Sequence, residues 1–390
     1  MKLVERSFRL QNGLAVELVA GPCGEAAAVA VLLTVGTDHD PPGRSGMVHL
    51  VERLLATSAG AGRAERTVVS GSDHILYSLG TESDRLGDEL DDVAAWMSVA
   101  IPTEGDFERV RAQLVGEVGA LAGRDAPATA LVLAEEAAQP SPGDGRRRGI
   151  AAELQAITFR ELQSFWLAHL RPGNARIASA GRFDADRLRA HIENAFGSLP
   201  GGAPPIARPP ADATVRGTLV MGESPTAVAM AVPAPPRDGP LYPPFLVLAA
   251  RLLNAPAQGR TWQAQYDPME RPELLSITGL VGQAEQPEPA AARIRADVAA
   301  LLARPLGTEE PVKTRQRFRL LVEPELLDPG LCAEDPRAFA LAKVRRAQLQ
   351  LASPALAQAL DATKAADLVE AAKLFDAKHT ATVIAGGAIR

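Results

Sequence analysis

Six histidines are the residues best suited to chemistry in this chain, and one of them stands in a suggestive setting. His49 and Glu52 lie three apart in a stretch whose apolar spacing predicts a helix over about residues 46–56. Residues three apart on a helix share a face, so an imidazole and a carboxylate would stand side by side there. An imidazole can bind a metal, and a carboxylate can accept a proton. The next residue, Arg53, is one turn beyond His49 and has no lone pair to offer. His39, His74, His169, His191 and His379 are scattered through turns, strands and other helices, without a ligand-like cluster. No Gly-rich phosphate loop, G-x-S-x-G elbow or CxxC pair is present, and the stretch GSDH at 71–74 is not a triad signature.

The elements that must position these residues follow from length and pattern. The 390 residues suit two domains rather than one core. Apolar residues make up 46% but aromatics only 4%, so the cores must be built from Ala, Leu and Val. With 41 basic and 47 acidic residues the net charge is −6, which argues against nucleic-acid binding. The longest basic run, residues 146–148, reads as a solvated loop. Cys23 and Cys332 read as two separate thiols. No apolar run is long enough to span a membrane and no apolar leader is visible, so a cytoplasmic protein is expected.

The halves read as repeats. Strand 26–35, a Pro-rich turn at 38–44 and helix 46–56 are echoed by strand 226–233, a turn at 235–244 and helix 245–254. VHLVERLL and LVLAARLL correspond at a spacing of 198 residues. The end of each half also corresponds, in a stretch closing on ARIASAG or ATVIAGG. The Gly- and Pro-rich residues 200–210 cannot continue a helix or a central strand. The expected organisation is a first domain at 1–200, a linker at 201–212 and a second domain at 213–390. Helices are predicted at 84–100, 103–121 (with Thr103 as N-cap), 184–196, 288–304, 307–323 and within 334–376. Few, separated strands among long helices predict an α+β fold, each domain a mainly antiparallel sheet with helices packed on one face.

Several stretches together resemble the M16 (pitrilysin-like) zinc peptidases: ERSFRLQNGLAVELV, GTDHDPPGRSGMVHLVERLL, TEGDFERVRAQLVGEV, LRPGNARIASAGRFDADRLRAHIENAFGSLP, GTEEPVKTRQRFRLL and FDAKHTATVIAGG. Their order is colinear and covers nearly the whole chain. The family motif is the inverted zinc site H-x-x-E-H, with a further Glu from a later helix as third ligand. By this resemblance His49 matches the first ligand, Glu52 the general base and Glu117 the third ligand. Arg53 replaces the second imidazole with a fixed positive charge. One His and one Glu are too few for a tight tetrahedral site, so no metal, no cofactor and no catalytic residue are expected. Arg53 is expected to neutralise the carboxylates left by the metal, Glu117 more readily than Glu52.

Two further departures stand out. The segment 56–73 is short and rich in Gly, Ser and Ala, so the family's substrate-pairing edge strand is expected to be altered or absent. The family's Arg–Tyr substrate pair falls on Pro256 and Arg260, with Trp262 and Tyr266 nearby. His74 matches a family strand histidine and is assigned no chemistry.

The resemblance implies a non-catalytic subunit that encloses a peptide chamber with a partner carrying an intact H-x-x-E-H. Two other readings are a zinc metallopeptidase using His49, Glu52 and Glu117, and a homodimeric peptide-binding scaffold.

Overall fold

The computed structural model describes residues 4–21, 25–57, 66–71, 73–98, 102–120, 126–138, 149–202, 217–221, 225–256, 259–268, 274–282, 285–322, 335–348 and 353–386. Cys23 and Cys332 lie outside these residues. The chain groups into two compact units. The first comprises residues 1–116, 141–210 and 325–351, the second 117–140, 211–324 and 352–390.

The first unit is built on six strands: β1 (Val4–Arg9), β2 (Ala15–Ala20), β3 (Ala26–Leu33), β4 (Arg66–Ser70), β5 (Ile75–Glu82) and β6 (Ala175–Gly181). Their order across the sheet is β1-β2-β6-β3-β5-β4. Only β2 and β6 run parallel; the other neighbours are antiparallel. The second unit has β7 (Gly217–Met221), β8 (Pro225–Pro233), β9 (Trp262–Gln265), β10 (Leu274–Leu280) and β11 (Ala381–Gly386), in the order β7-β11-β8-β10-β9. Again one pair, β7 with β11, is parallel. Removing β1 makes the two sheets identical in order and polarity, which gives the repeat read from the sequence a topological form. The strands of the two sheets lie on either side of residues 201–212.

The expected helical layer covers one face of each sheet. In the first unit it includes α1 (Met47–Thr57), α2 (Leu86–Ser98), α5 (Ala151–Ala156), α6 (Phe159–His169) and α7 (Ala185–Phe196). Between α2 and α5 the chain forms α3 (Glu104–Ala120) and α4 (Ala126–Ala138). Local capping sets several boundaries. Thr103 Oγ1 accepts the Asp106 N–H at the head of α3, and Asp184 Oδ1 accepts the N–H groups of Asp186 and Arg187 at the head of α7. The second unit places α8 (Tyr242–Leu253), α9 (Pro287–Leu302), α10 (Glu310–Arg317) and α11 (Arg319–Val322) in the same sequence. Helix α8 starts earlier than its predicted 245, because Pro243 and Pro244 fall in its first turn, where the missing N–H has no partner to lose.

The other face of each sheet is not bare, and its cover does not follow a contiguous division of the chain. In the second unit α4, from the first half of the sequence, packs on β8, β11 and β10. Its residues Ala130, Ala134 and Ala138, spaced four apart, meet Ala227, Ala229 and Ala231 of β8 and Ala381, Val383 and Ala385 of β11. In the first unit the complementary cover is α12 (Pro336–Gln348), from the second half, which packs on β3, β6 and β5; α13 (Ser353–Asp361) follows it in the chain. The strand face that pairs Ala28 with Ala180 and Gly80, and Ala30 with Ala178 and Ser78, carries small side chains at these central positions, with Leu32 and Leu76 following them along the same face. Arg337 of α12 donates to Ser78 Oγ at 3.0 Å and also bonds Thr67 on that face. On the opposite face Tyr77 stacks near Trp96 of α2, with ring centroids 6.1 Å apart. Small residues on both partners bring helix and sheet into close approach, which is how an interior poor in aromatics still packs densely.

Ala229→Leu is therefore expected to overfill the α4–β8 seam and destabilise the protein by about 1–3 kcal/mol. Chemical denaturation compares it with Ala292→Leu, on the exposed face of α9, which should be near neutral.

Candidate functional site

Helix α1 buries Met47, Val48, Leu50, Val51, Leu54 and Leu55. That apolar face turns His49, Glu52 and Arg53 together to the half-buried side. The helix is started from a distance. Asp40, ahead of it in the Pro-rich turn, accepts the N–H of Gly46 at 2.6 Å and of Val48 at 2.8 Å. Burial pushes the Asp40 carboxyl up to about 7 against the pull of these two donors, and the charges of Asp38 and Glu153 add to the rise. Gly46 has φ +90° and Gly149 φ +87°. A Cβ on Gly46 would stand 2.7 Å from Leu154 Cδ2 and 3.0 Å from Gly149 Cα, so the start of α1 sits directly on the start of α5.

On the half-buried face His49 Nε2 is 4.0 Å from Glu52 Oε1. Their side chains are 12% and 18% exposed, so the pair is largely screened from water. The second carboxylate oxygen of Glu52 is engaged elsewhere. Oε2 accepts the Ser70 N–H at 3.0 Å and a short hydrogen bond from the Ser70 hydroxyl. Glu52 thus ties α1 to the end of β4. Residues 66–70 form the outer strand of the sheet, antiparallel to β5, so of the expected alternatives, altered or absent, the edge strand is not absent. A five-residue strand survives in this short segment because β5 supplies its ladder on one side and Glu52 and Arg66 anchor its ends. Arg66 Nη2 reaches Glu89 Oε2 of α2 at 3.2 Å.

Beneath the β4–β5 turn His74 is fully buried, with Nδ1 2.7 Å from Asp73 Oδ1. It packs on Gly71, where a Cβ would fall 2.2 Å from its ring. This is a structural histidine. His191 meets Asp91 between α7 and α2, and His39, Phe165 and His169 pack ring against ring.

The residues present do not fit the family's metal. A catalytic zinc site takes three protein ligands around an open position. His49 contributes one imidazole, Glu52 shares its carboxylate with Ser70, and Arg53 brings a cation where the second imidazole would stand. Among the described residues no group of three or more His, Cys, Asp and Glu side chains is disposed to hold a metal ion. Glu117, on α3, is exposed and falls in the segment grouped with the second unit.

The second half reveals what an arginine at this helical position does. Arg251 of α8 stands 198 residues after Arg53, in the repeat of the same sequence. It is buried, and its guanidinium forks onto Glu310 of α10 with two bonds of 2.7 Å. It also donates to Leu302 O at 2.8 Å and Pro305 O at 3.3 Å. This network joins three helix ends over 59 residues of sequence, and nothing local in the sequence announces it. Trp262 and Tyr266 take the core role. Trp262 is buried beneath the Arg260 guanidinium, 4.4 Å from ring centroid to carbon, and Tyr266 reaches the Tyr242 hydroxyl at 3.4 Å.

With this geometry in place, the likeness to known proteins can be stated. Residues 156–264 match the Peptidase M16 inactive domain. No curated protein matches the sequence. A protease from Helicobacter pylori aligns with TM-score 0.78 at 19% identity, over 98% of this chain and 99% of that one. The M16 inactive domain protein from Pseudomonas fluorescens aligns with TM-score 0.74 at 16% identity, over 99% and 98%. A chain of complex III2 from Candida albicans aligns with TM-score 0.73 at 15% identity, over 98% and 95%. The chain thus has the two-domain α+β fold of the M16 peptidases. The matched residues 156–264 exclude the helix carrying His49, so they bear on kinship and not on that helix's chemistry. Among the described residues no helix is long and apolar enough to cross a membrane.

Two outcomes test this description. Glu52→Ala should cost about 1–3 kcal/mol, because it removes the acceptor of the Ser70 N–H, as measured by urea denaturation. Arg251→Ala should cost about 3–5 kcal/mol by stranding Glu310. The Arg251 hydrogen bonds hold the Glu310 carboxyl below its usual range. Its contribution is therefore complete above an ordinary glutamate pKa and is lost as pH falls through the depressed one. The cost of Arg251→Ala should shrink below about pH 4.

Proposed function

We propose that this chain is a non-catalytic M16-like subunit, which encloses a peptide together with a partner chain carrying an intact H-x-x-E-H. One observation carries the reading: the zinc-helix equivalent presents His49-Leu50-Val51-Glu52-Arg53, with the would-be base Glu52 hydrogen bonded to Ser70. A general base must reach the water it activates, and a carboxylate engaged by two donors is less free to turn toward it. Arg53 adds a positive charge where a metal would have to sit.

A resemblance to a protein described as an M16 inactive domain supports the inactive part of this reading. That the Candida albicans relative is a component of a multichain complex supports the partnered part. The outer strand β4 supports a peptide role, since an extended peptide can add to a sheet edge through main-chain hydrogen bonds. In this reading no step of hydrolysis runs on this chain; its own residues shape and close the space.

The test is reconstitution. The chain alone should not hydrolyse a quenched peptide library with or without added zinc, and should co-purify with an intact M16 chain from its source. Turnover by the isolated chain, abolished by His49→Ala, would establish the metallopeptidase reading instead. Peptide binding without turnover in a self-associated chain would establish the homodimeric scaffold.

Arg53→His supplies the sharper comparison. It completes the inverted motif and is expected to bring weak zinc binding by calorimetry, reduced again by Glu117→Ala. Peptide cleavage should stay near background, because Glu52 remains tied to Ser70.

A further inference from the structure

The repeat relation exposes a difference between the two units that packing alone does not explain. Helix α6 begins at the N-cap Thr158 with Glu161 closing a capping box, and α14 (Ala365–Ala372) begins at Lys364 with Asp367 in the same role. The two N-caps are 206 residues apart, and so are the following strand starts Ala175 and Ala381. In this register Leu162 corresponds to Leu368, both buried. Trp166 corresponds to Ala372.

In the first unit the Trp166 indole fills the wedge between α6 and the end of α2. It is 1% exposed, and its Nε1 donates to Trp96 O at 2.8 Å. In the second unit the equivalent wedge, between α14 and the end of α9, is a cavity of about 390 Å³. Ala372 stands where the indole would be. Met230, Val298, Leu302, Leu368 and Phe375 supply apolar walls. Losing a large side chain normally costs stability in proportion to the space left, unless the surroundings collapse or something fills it. Here the space is held open from beneath: Arg251 fastens Leu302 O and Pro305 O, at the end of α9, to α8 and α10.

The lining also carries charge. Arg295, Arg304 and Lys373 line the cavity together with Asp376, and the Lys373 ammonium also donates to Glu370 Oε2 of α14 at 2.6 Å. Arg304 and Lys373 are exposed and Arg295 is half-buried, so the cations stand toward the mouth and the apolar side chains toward the floor. Burial already works against the Arg295 charge. An apolar pocket of this size with a few convergent polar groups is the ordinary form of a small-molecule site.

We propose that this cavity binds a small carboxylate with an apolar tail, the tail taking the place of the missing indole and the carboxylate meeting Arg295, Arg304 and Lys373. The site belongs wholly to the second unit and does not depend on the chain's peptidase standing. Calorimetry with decanoate on the full chain tests it. Saturable binding of one decanoate per chain is expected, with 1-decanol at least ten-fold weaker because it lacks the charge. Ala372→Trp should rebuild the plug of the first unit and weaken decanoate at least ten-fold while keeping or raising the melting temperature. The double reversal Arg304→Glu with Lys373→Glu, at exposed positions, should weaken decanoate at least ten-fold without touching the fold, and it carries the test if Ala372→Trp does not fold. No saturable decanoate binding, equal affinity for decanol, or a folded Ala372→Trp that binds as the parent chain does would each overturn the proposal. So would a peptide ending in leucine that binds in the cavity while decanoate does not.

Discussion

Close contact between alanines holds this molecule together. Each sheet presents a face of small side chains to one helix, and each such helix is contributed by the opposite half of the sequence. On that seam α4 lays Ala130, Ala134 and Ala138 along Ala227, Ala229 and Ala231. Dispersion is weak per atom pair and grows with the number of pairs brought to contact distance, so small residues compensate for their size by allowing a shorter separation. The same contact explains the composition. A chain with 4% aromatics can fill two cores only if its helices ride close to its sheets.

Around that frame, the helix that carries His49 is fastened at its start and along its polar face. Its start is set by Asp40 and by the two glycines that let α1 and α5 meet. Its polar face is tied to the sheet edge through Glu52 and Ser70. The repeat-related helix α8 follows the same logic further, with Arg251 clamped between Glu310 and two backbone carbonyls. The arginine at this position in the second half binds by geometry and charge rather than by donating a lone pair.

Much of the fold was legible because its signals are local. Apolar residues at helical spacing located α1, α2 and α7, and Thr103 marked a helix start through its own hydroxyl. The repeat was legible because it preserved both the strand–turn–helix order and the ARIASAG and ATVIAGG endings. What escaped was non-local. The edge strand β4 is only five residues long at the end of a small-residue stretch, and beside the β-propensity of Thr67, Val68 and Val69 it depends on the non-local partners β5, Glu52 and Glu89. The helices under the small-residue sheet faces carry amphipathic patterns that say they are buried but not against which sheet. At the candidate site His49, Glu52 and Arg53 could be named from spacing, while the Ser70 partner of Glu52, 18 residues on, could not.

The exchanged helices have an implication for how such a chain could have arisen and could be taken apart. A single half, expressed alone, would leave the alanine face of its own sheet open to water and would carry a helix with no sheet to cover. Two copies of an ancestral half could satisfy each other, each lending its helix to its twin, before any fusion joined them. Severing the chain in the Gly- and Pro-rich stretch after residue 202 should accordingly yield two pieces that are sticky apart and complementary together, so that co-expression of the pieces restores what neither holds singly.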